Sequence, residues 1–102
     1  MALPPMHDAV IQGDLEAVRR HLDSGVPVDL QDDDGYTALL RASHFNRKEV
    51  AQLLIDRGAD LNVQDKEGWT ALKEAVARGF HEVAVVLEQA AQKAEKTSAA
   101  NT

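Results

Sequence analysis

Apolar residues recur along the chain in short stripes at helical spacing, and the stripes come in pairs. Leu39, Ala42 and Ser43 form one stripe, and Val50, Leu53 and Leu54, at i, i+3 and i+4, form the next. Leu72, Ala75 and Val76 repeat the first, and Val83, Val86 and Leu87 repeat the second. Each stripe predicts a short helix that hides one face. Thr37 and Thr70 stand where a side-chain oxygen can accept from the free N–H groups of a first turn, so they mark helix starts. Asn46 and Gly79 interrupt the pattern between paired stripes, and a connection that short predicts antiparallel helices. Gly25 and Gly58 follow the second helices of their units, where a left-handed closing turn is wanted. Residues 59–69 then read as an extended turn back to the next helix.

The spacing between equivalent stripes is 33 residues. Sliding the chain by that amount lays Asp32-Asp33-Asp34-Gly35-Tyr36-Thr37-Ala38-Leu39 on Asp65-Lys66-Glu67-Gly68-Trp69-Thr70-Ala71-Leu72, with identities at Asp, Gly, Thr, Ala and Leu. Ala42 meets Ala75, Glu49 meets Glu82, Val50 meets Val83 and Leu54 meets Leu87. A further shift towards the N-terminus places Met6 on Leu39, Ala9 on Ala42, Gly25 on Gly58 and Gln31 on Gln64, so a first, truncated unit precedes the two full ones. A fixed period of this length marks stacked units, none of which can bury its apolar face alone.

These residues carry a resemblance to ankyrin repeats, whose period is 33 and whose motif is T-P-L-H-x-A. The motif stands here as Thr37-Ala38-Leu39-Leu40-Arg41-Ala42, as Thr70-Ala71-Leu72-Lys73-Glu74-Ala75 and, degraded, as Pro4-Pro5-Met6-His7-Asp8-Ala9; the resemblance covers residues 4–91. It implies an all-α solenoid of helix-turn-helix units with protruding β-hairpin loops. The expected organisation is one domain over residues 4–96, with repeats at about 4–31, 32–64 and 65–96, followed by a frayed tail at 97–102. Pro4 stands where the capping Thr belongs, so the first helix is expected to fray first. Arg20 and His21 replace Leu53 and Leu54, and Glu88 replaces Ile55; these polar exchanges predict a short stack complete with its own caps.

Composition narrows the setting. At 102 residues, 44% hydrophobic and 27% charged, the chain has the make-up of one folded domain. Aromatics are only 4% and alanine is abundant, which suits a thin layered core of close-set helices. Without cysteine there is no disulfide framework, thiolate zinc site or cysteine nucleophile. No basic start followed by an apolar stretch opens the chain, and no apolar run reaches spanning length, so no secretory signal and no membrane partner are expected. The expected setting is cytoplasmic, with entry to the nucleus by diffusion. A formal net charge of -6 with scattered Lys and Arg argues against nucleic acid as a partner.

Candidate chemistry is sparse. His7, His21, His44 and His81 form no close pair with metal-ligand spacing, so no metal and no cofactor is expected. His7 occupies the motif histidine, for which the resemblance implies a structural hydrogen bond to a neighbouring turn; the other three are expected at the surface. Asp32-Asp33-Asp34-Gly35 lacks the alternating ligands of a calcium loop and aligns with a hairpin tip. There is no nucleophile with a base and no phosphate-binding glycine loop, and thin layers offer little concave volume, so an enzyme is not expected.

The aromatics carry the functional expectation. Tyr36 and Trp69 share the slot after the turn glycine, and Phe45 lies near the end of its first helix. The resemblance implies that these slots look onto a concave groove, where aromatic anchors bury much area with few rotatable bonds. Tyr36, Phe45 and Trp69 are therefore the candidate contacts, with packing against the neighbouring hairpin an equal reading for Trp69. Asp33, Asp34, His44, Lys66, Glu67, Arg78, Ile11 and Gln12 fall on the aligned variable slots and would set specificity. Asn62 has the hairpin position that asparaginyl hydroxylases modify in such repeats, with Leu54 upstream, but a buried hydrogen bond is the preferred role. The expected function is binding of another protein or peptide by a chain that is monomeric when unbound, as an inhibitor or adaptor. A structural or engineered scaffold with no native partner is the rival.

Overall fold

The computed structural model describes residues 3–100, with side chains through residue 94. Its helices are α1 (Pro5–Gln12), α2 (Leu15–Asp23), α3 (Ala38–His44), α4 (Lys48–Asp56), α5 (Ala71–Arg78) and α6 (His81–Ala100). Each odd helix packs on its successor; α1, α3 and α5 lie in one row, and α2, α4 and α6 in a second. This is the all-α solenoid that the period predicts. Among the described residues there is no strand, so the hairpins form as turns without a ladder. The Asp32 N–H donates to the Tyr36 carbonyl at 2.9 Å and the Gly35 N–H to the Asp32 carbonyl at 2.9 Å. Asp65 with Trp69, and Gly68 with Asp65, repeat both bonds at 3.0 Å.

The local signals act where the pattern puts them. Thr37 Oγ1 accepts from the Leu40 N–H at 3.1 Å, and Thr70 Oγ1 from the Lys73 N–H at 3.2 Å. Pro4 gives α1 no side-chain cap, although Pro5 suits a first helical position. Each second helix of the first two repeats closes on a pair of crossed bonds. Val26 N–H reaches the His21 carbonyl and Gly25 N–H the Leu22 carbonyl; Ala59 reaches Leu54 and Gly58 reaches Ile55 in the same way. The bend between paired helices needs a left-handed residue, and Gly13, Asn46 and Gly79 supply it at φ 73°, 58° and 73°. Asn46 does so because its short polar side chain tolerates that region better than other non-glycine residues.

The core runs between the two rows. Met6, Val10, Val18, Leu39, Leu40, Val50, Leu54, Val83 and Leu87 are buried, and alanines at 38, 42, 51, 71 and 75 let neighbouring helices approach closely. Full burial of such aliphatic side chains stabilises by about 1.5–3 kcal/mol each. Packing thins at α2, which buries only Val18 completely. Val76, expected in the apolar stripe of α5, is 60% exposed, whereas its counterpart Ser43 is buried. The reason is positional, since α5 covers Ser43 and no further repeat stacks on α5 among the described residues. Where a tail was expected from residue 97, α6 stays helical to Ala100; residues 101 and 102 lie outside the described residues.

His7 joins the first repeat to the second. Its buried ring donates from Nε2 to the Tyr36 carbonyl at 2.9 Å, which is the turn contact expected of the motif histidine.

Candidate partner-binding groove

The groove starts from two aspartates that fold the turns. Asp32 Oδ1 accepts from the backbone N–H groups of Asp34 and Tyr36, both at 3.0 Å. Asp65 Oδ1 accepts from those of Glu67 at 2.8 Å and Trp69 at 3.0 Å. Each carboxylate thereby fixes the aromatic residue that follows the turn glycine. At Gly35 (φ 83°) a Cβ would also come within 3.3 Å of the Lys66 backbone nitrogen, so the second turn sits hard against the third.

The second repeat then closes its own turn. Arg41 donates from Nε at 3.1 Å and Nη2 at 2.8 Å to Asp32 Oδ2, and its guanidinium carbon lies 4.2 Å from the Tyr36 ring centroid. The Asp32 side chain is only 2% exposed. Burial alone would raise its pKa, but bonds from Arg41 and from the N–H groups of Tyr36 and Asp34 outweigh that and hold it below the usual carboxylate range.

The third repeat has a carboxylate where the second has its arginine. Glu74 stands in the register of Arg41, and its Oε1 takes Arg78 Nε at 2.6 Å and lies 2.7 Å from His44 Nδ1. Beside it opens a hollow of about 380 Å³ lined by Tyr36, His44, Asp65, Glu67, Trp69, Glu74, Ala77 and Arg78. Burial, reinforced by the carboxylates of Asp65 and Glu74, pushes the Tyr36 hydroxyl above its ordinary pKa. Lys73 Nζ lies 5.2 Å from the Trp69 ring centroid.

Of the residues singled out in the sequence, Tyr36, His44, Glu67, Trp69 and Arg78 meet around this hollow. Phe45 is exposed beside it, with its ring centroid 4.8 Å from that of His44. Asp33 and Asp34 are exposed at the second tip, and the Lys66 ammonium donates to the Asp33 carbonyl, tying that tip to the third. Ile11 and Gln12 lie apart, at the end of α1. The Ile11 carbonyl accepts from Arg47 Nε at 2.9 Å and Nη2 at 2.6 Å, and Gln12 bonds Asp8 at 2.9 Å.

Three expectations change. Tyr36 is not a free contact, because it packs against the core beneath Arg41. His44 is not simply a surface histidine, being half-buried and held by Glu74. Asn62 is exposed, and its backbone N–H, bonding Asp60 at 2.8 Å, makes the contact. The buried hydrogen bond preferred for its side chain is absent, because the residue is exposed to solvent. The residues missed were Asp65 and Glu74. The signal was there: the overlay that pairs Asp32 with Asp65 also pairs Arg41 with Glu74, a reversal of charge at one slot.

Among the described residues no three His, Cys, Asp or Glu side chains are grouped to hold a metal ion, and no helix is long and apolar enough to cross a membrane. Stacked helix pairs with turns projecting along one edge define a repeat scaffold. The chain belongs to the ankyrin-repeat family: the family's model, three consecutive ankyrin repeats, matches residues 6–98. Such repeats are generally protein–protein interaction modules and are typically non-enzymatic. No curated protein matches the chain.

Proposed function

We propose that the chain is an interaction module that engages another protein or peptide through the groove between its turn tips and first helices, acting as an inhibitor or adaptor. The observation that carries this reading is the gathering of Tyr36, His44, Glu67, Trp69 and Arg78 around one hollow, with Phe45 exposed at its edge. Aromatic anchors flanked by charged groups are what a specific interface uses, the aromatics for buried area and the charges for orientation.

The test uses Phe45→Ala combined with Glu67→Lys, since both side chains are exposed and neither holds the core. Exposed substitutions of this kind shift stability by no more than about 0.5 kcal/mol each. Affinity capture from the source cell, with bound proteins identified by mass spectrometry, is expected to lose the partner of the parent chain while the melting temperature stays close. Capture of that partner undiminished by the double change would contradict the reading.

A further inference from the structure

We propose that the hollow of the third repeat receives an arginine side chain of the partner, in the place that Arg41 fills within the second repeat. This rests on the interaction reading and adds the chemistry of what is bound. Repeat symmetry supplies the template. Asp32 and Asp65 make the same turn, Tyr36 and Trp69 occupy the same slot, and in the second repeat a guanidinium bonds the aspartate and covers the ring. In the third repeat the acceptors remain and the internal donor has become Glu74.

Three features of the hollow fit that guest. The Glu74 side chain is about nine-tenths buried yet lines the opening, and its two donors converge on Oε1, with no donor among the described residues reaching Oε2. Asp65, 9% exposed, is the second carboxylate of the lining. Tyr36 and Trp69 add aromatic walls, and a planar guanidinium can fork its hydrogen bonds between carboxylates while stacking on a ring, which an ammonium cannot do. At about 380 Å³ the hollow is at the small end of ligand sites, suited to one side chain of a larger partner. Charge points the same way. Asp32, Asp33, Asp34, Asp65, Glu67 and Glu74 stand on this face against Arg41, Lys66, Lys73 and Arg78, an excess of two negative charges out of the chain's net -6. That field steers a basic segment towards the groove.

Trp69 is the chain's one tryptophan, so its fluorescence reports the hollow. The full chain is titrated at low salt with N-acetyl-Gly-Arg-Gly-amide, and with the same tripeptide carrying lysine or citrulline at its centre. A saturable change is expected with arginine, a weaker one with lysine and none with citrulline. Glu74→Arg restores the internal arginine of the second repeat, and Asp65→Asn keeps an oxygen for the turn while removing the charge. Each is expected to weaken binding of the arginine tripeptide about tenfold, the worth of a charge-assisted hydrogen bond. Circular dichroism establishes that each variant is folded, and if Glu74→Arg is not, Asp65→Asn decides. No saturable change on the parent, equal binding of citrulline, or folded variants that bind as the parent does would overturn the inference. Peptides selected from a random library on the full chain separate it from the broader reading. Groove binders lacking a basic residue would sink the arginine and leave the interaction module standing; no groove binder at all would sink both.

Discussion

The second and third repeats share a backbone and differ in how they are finished. Both turns are folded by an aspartate that accepts two backbone N–H groups, and both first helices are capped by threonine. The second repeat is covered on both sides, by α1 and α5 on one row and by α2 and α6 on the other, and Arg41 seals its turn. The third has Glu74 at that slot, and a hollow where the seal would be. Positions that recur with the period therefore set the backbone, and a single exchanged side chain marks whether a unit is sealed over its turn or has a hollow beside it.

The comparison can be broken most forcefully in the core. Leu54→Ala removes a fully buried side chain from the central repeat and is expected to cost about 2–5 kcal/mol, enough to unfold most of so short a stack. Leu87→Ala, its equivalent in the third repeat, should fall at the low end of that range, because the outer side of α6 can relax. Equal losses in denaturant melts would mean that the end repeat is packed as tightly as the middle one.

Next come the two arginines. Arg41→Ala strands the buried Asp32 carboxylate and is expected to cost about 1.5–3 kcal/mol, the value of hydrogen bonds to a charged group. Arg78→Ala takes a half-exposed partner from the buried Glu74 carboxylate, which keeps His44, and is expected to cost less, about 0.5–1.5 kcal/mol. Thermal melts in which the two variants drop equally would erase the distinction between a sealed and an open turn.

The smallest effects are in pH. The lowered pKa of Asp32 contributes stability that is present above the ordinary aspartate value near 3.8 and is lost as pH falls through the lower folded value. Tyr36 does the reverse at the other extreme. Its raised pKa gives stability that is complete below 10.0 and is lost as pH rises through the higher folded value. Acid melts of Arg41→Ala should show a weaker fall than those of the parent, and alkaline melts of Tyr36→Phe a later one. Parallel curves for variant and parent would remove either assignment.

Much of the architecture was legible because it depends on residues that recur. Thr37, Thr70, Gly25, Gly58 and Asn46 act through local backbone chemistry, which a sequence states directly. The groove was legible in part. Three of its lining residues could be drawn from the aligned variable slots and two from the aromatic slot after the turn glycine, but those slots do not say which side chains face one another. Tyr36 looked free because its covering group, Arg41, belongs to the next turn of chain and makes its contact only once α3 has formed. Glu74 and Asp65 escaped notice because their burial comes from stacking of one repeat on another. Ile11 and Gln12 fell on equivalent slots in a unit that has no preceding turn beside it among the described residues.

The hydrogen bond from His7 to the Tyr36 carbonyl gives α1 a hand in the groove. That helix has no side-chain cap, yet it holds in place the backbone of a residue that walls the hollow. When α1 opens, the Tyr36 carbonyl loses its bond from His7 and is left with the one from the Asp32 N–H. The state of α1 and the shape of the hollow are coupled through that bond, and amide protons of α1 and of the second turn should exchange with solvent as one cooperative unit.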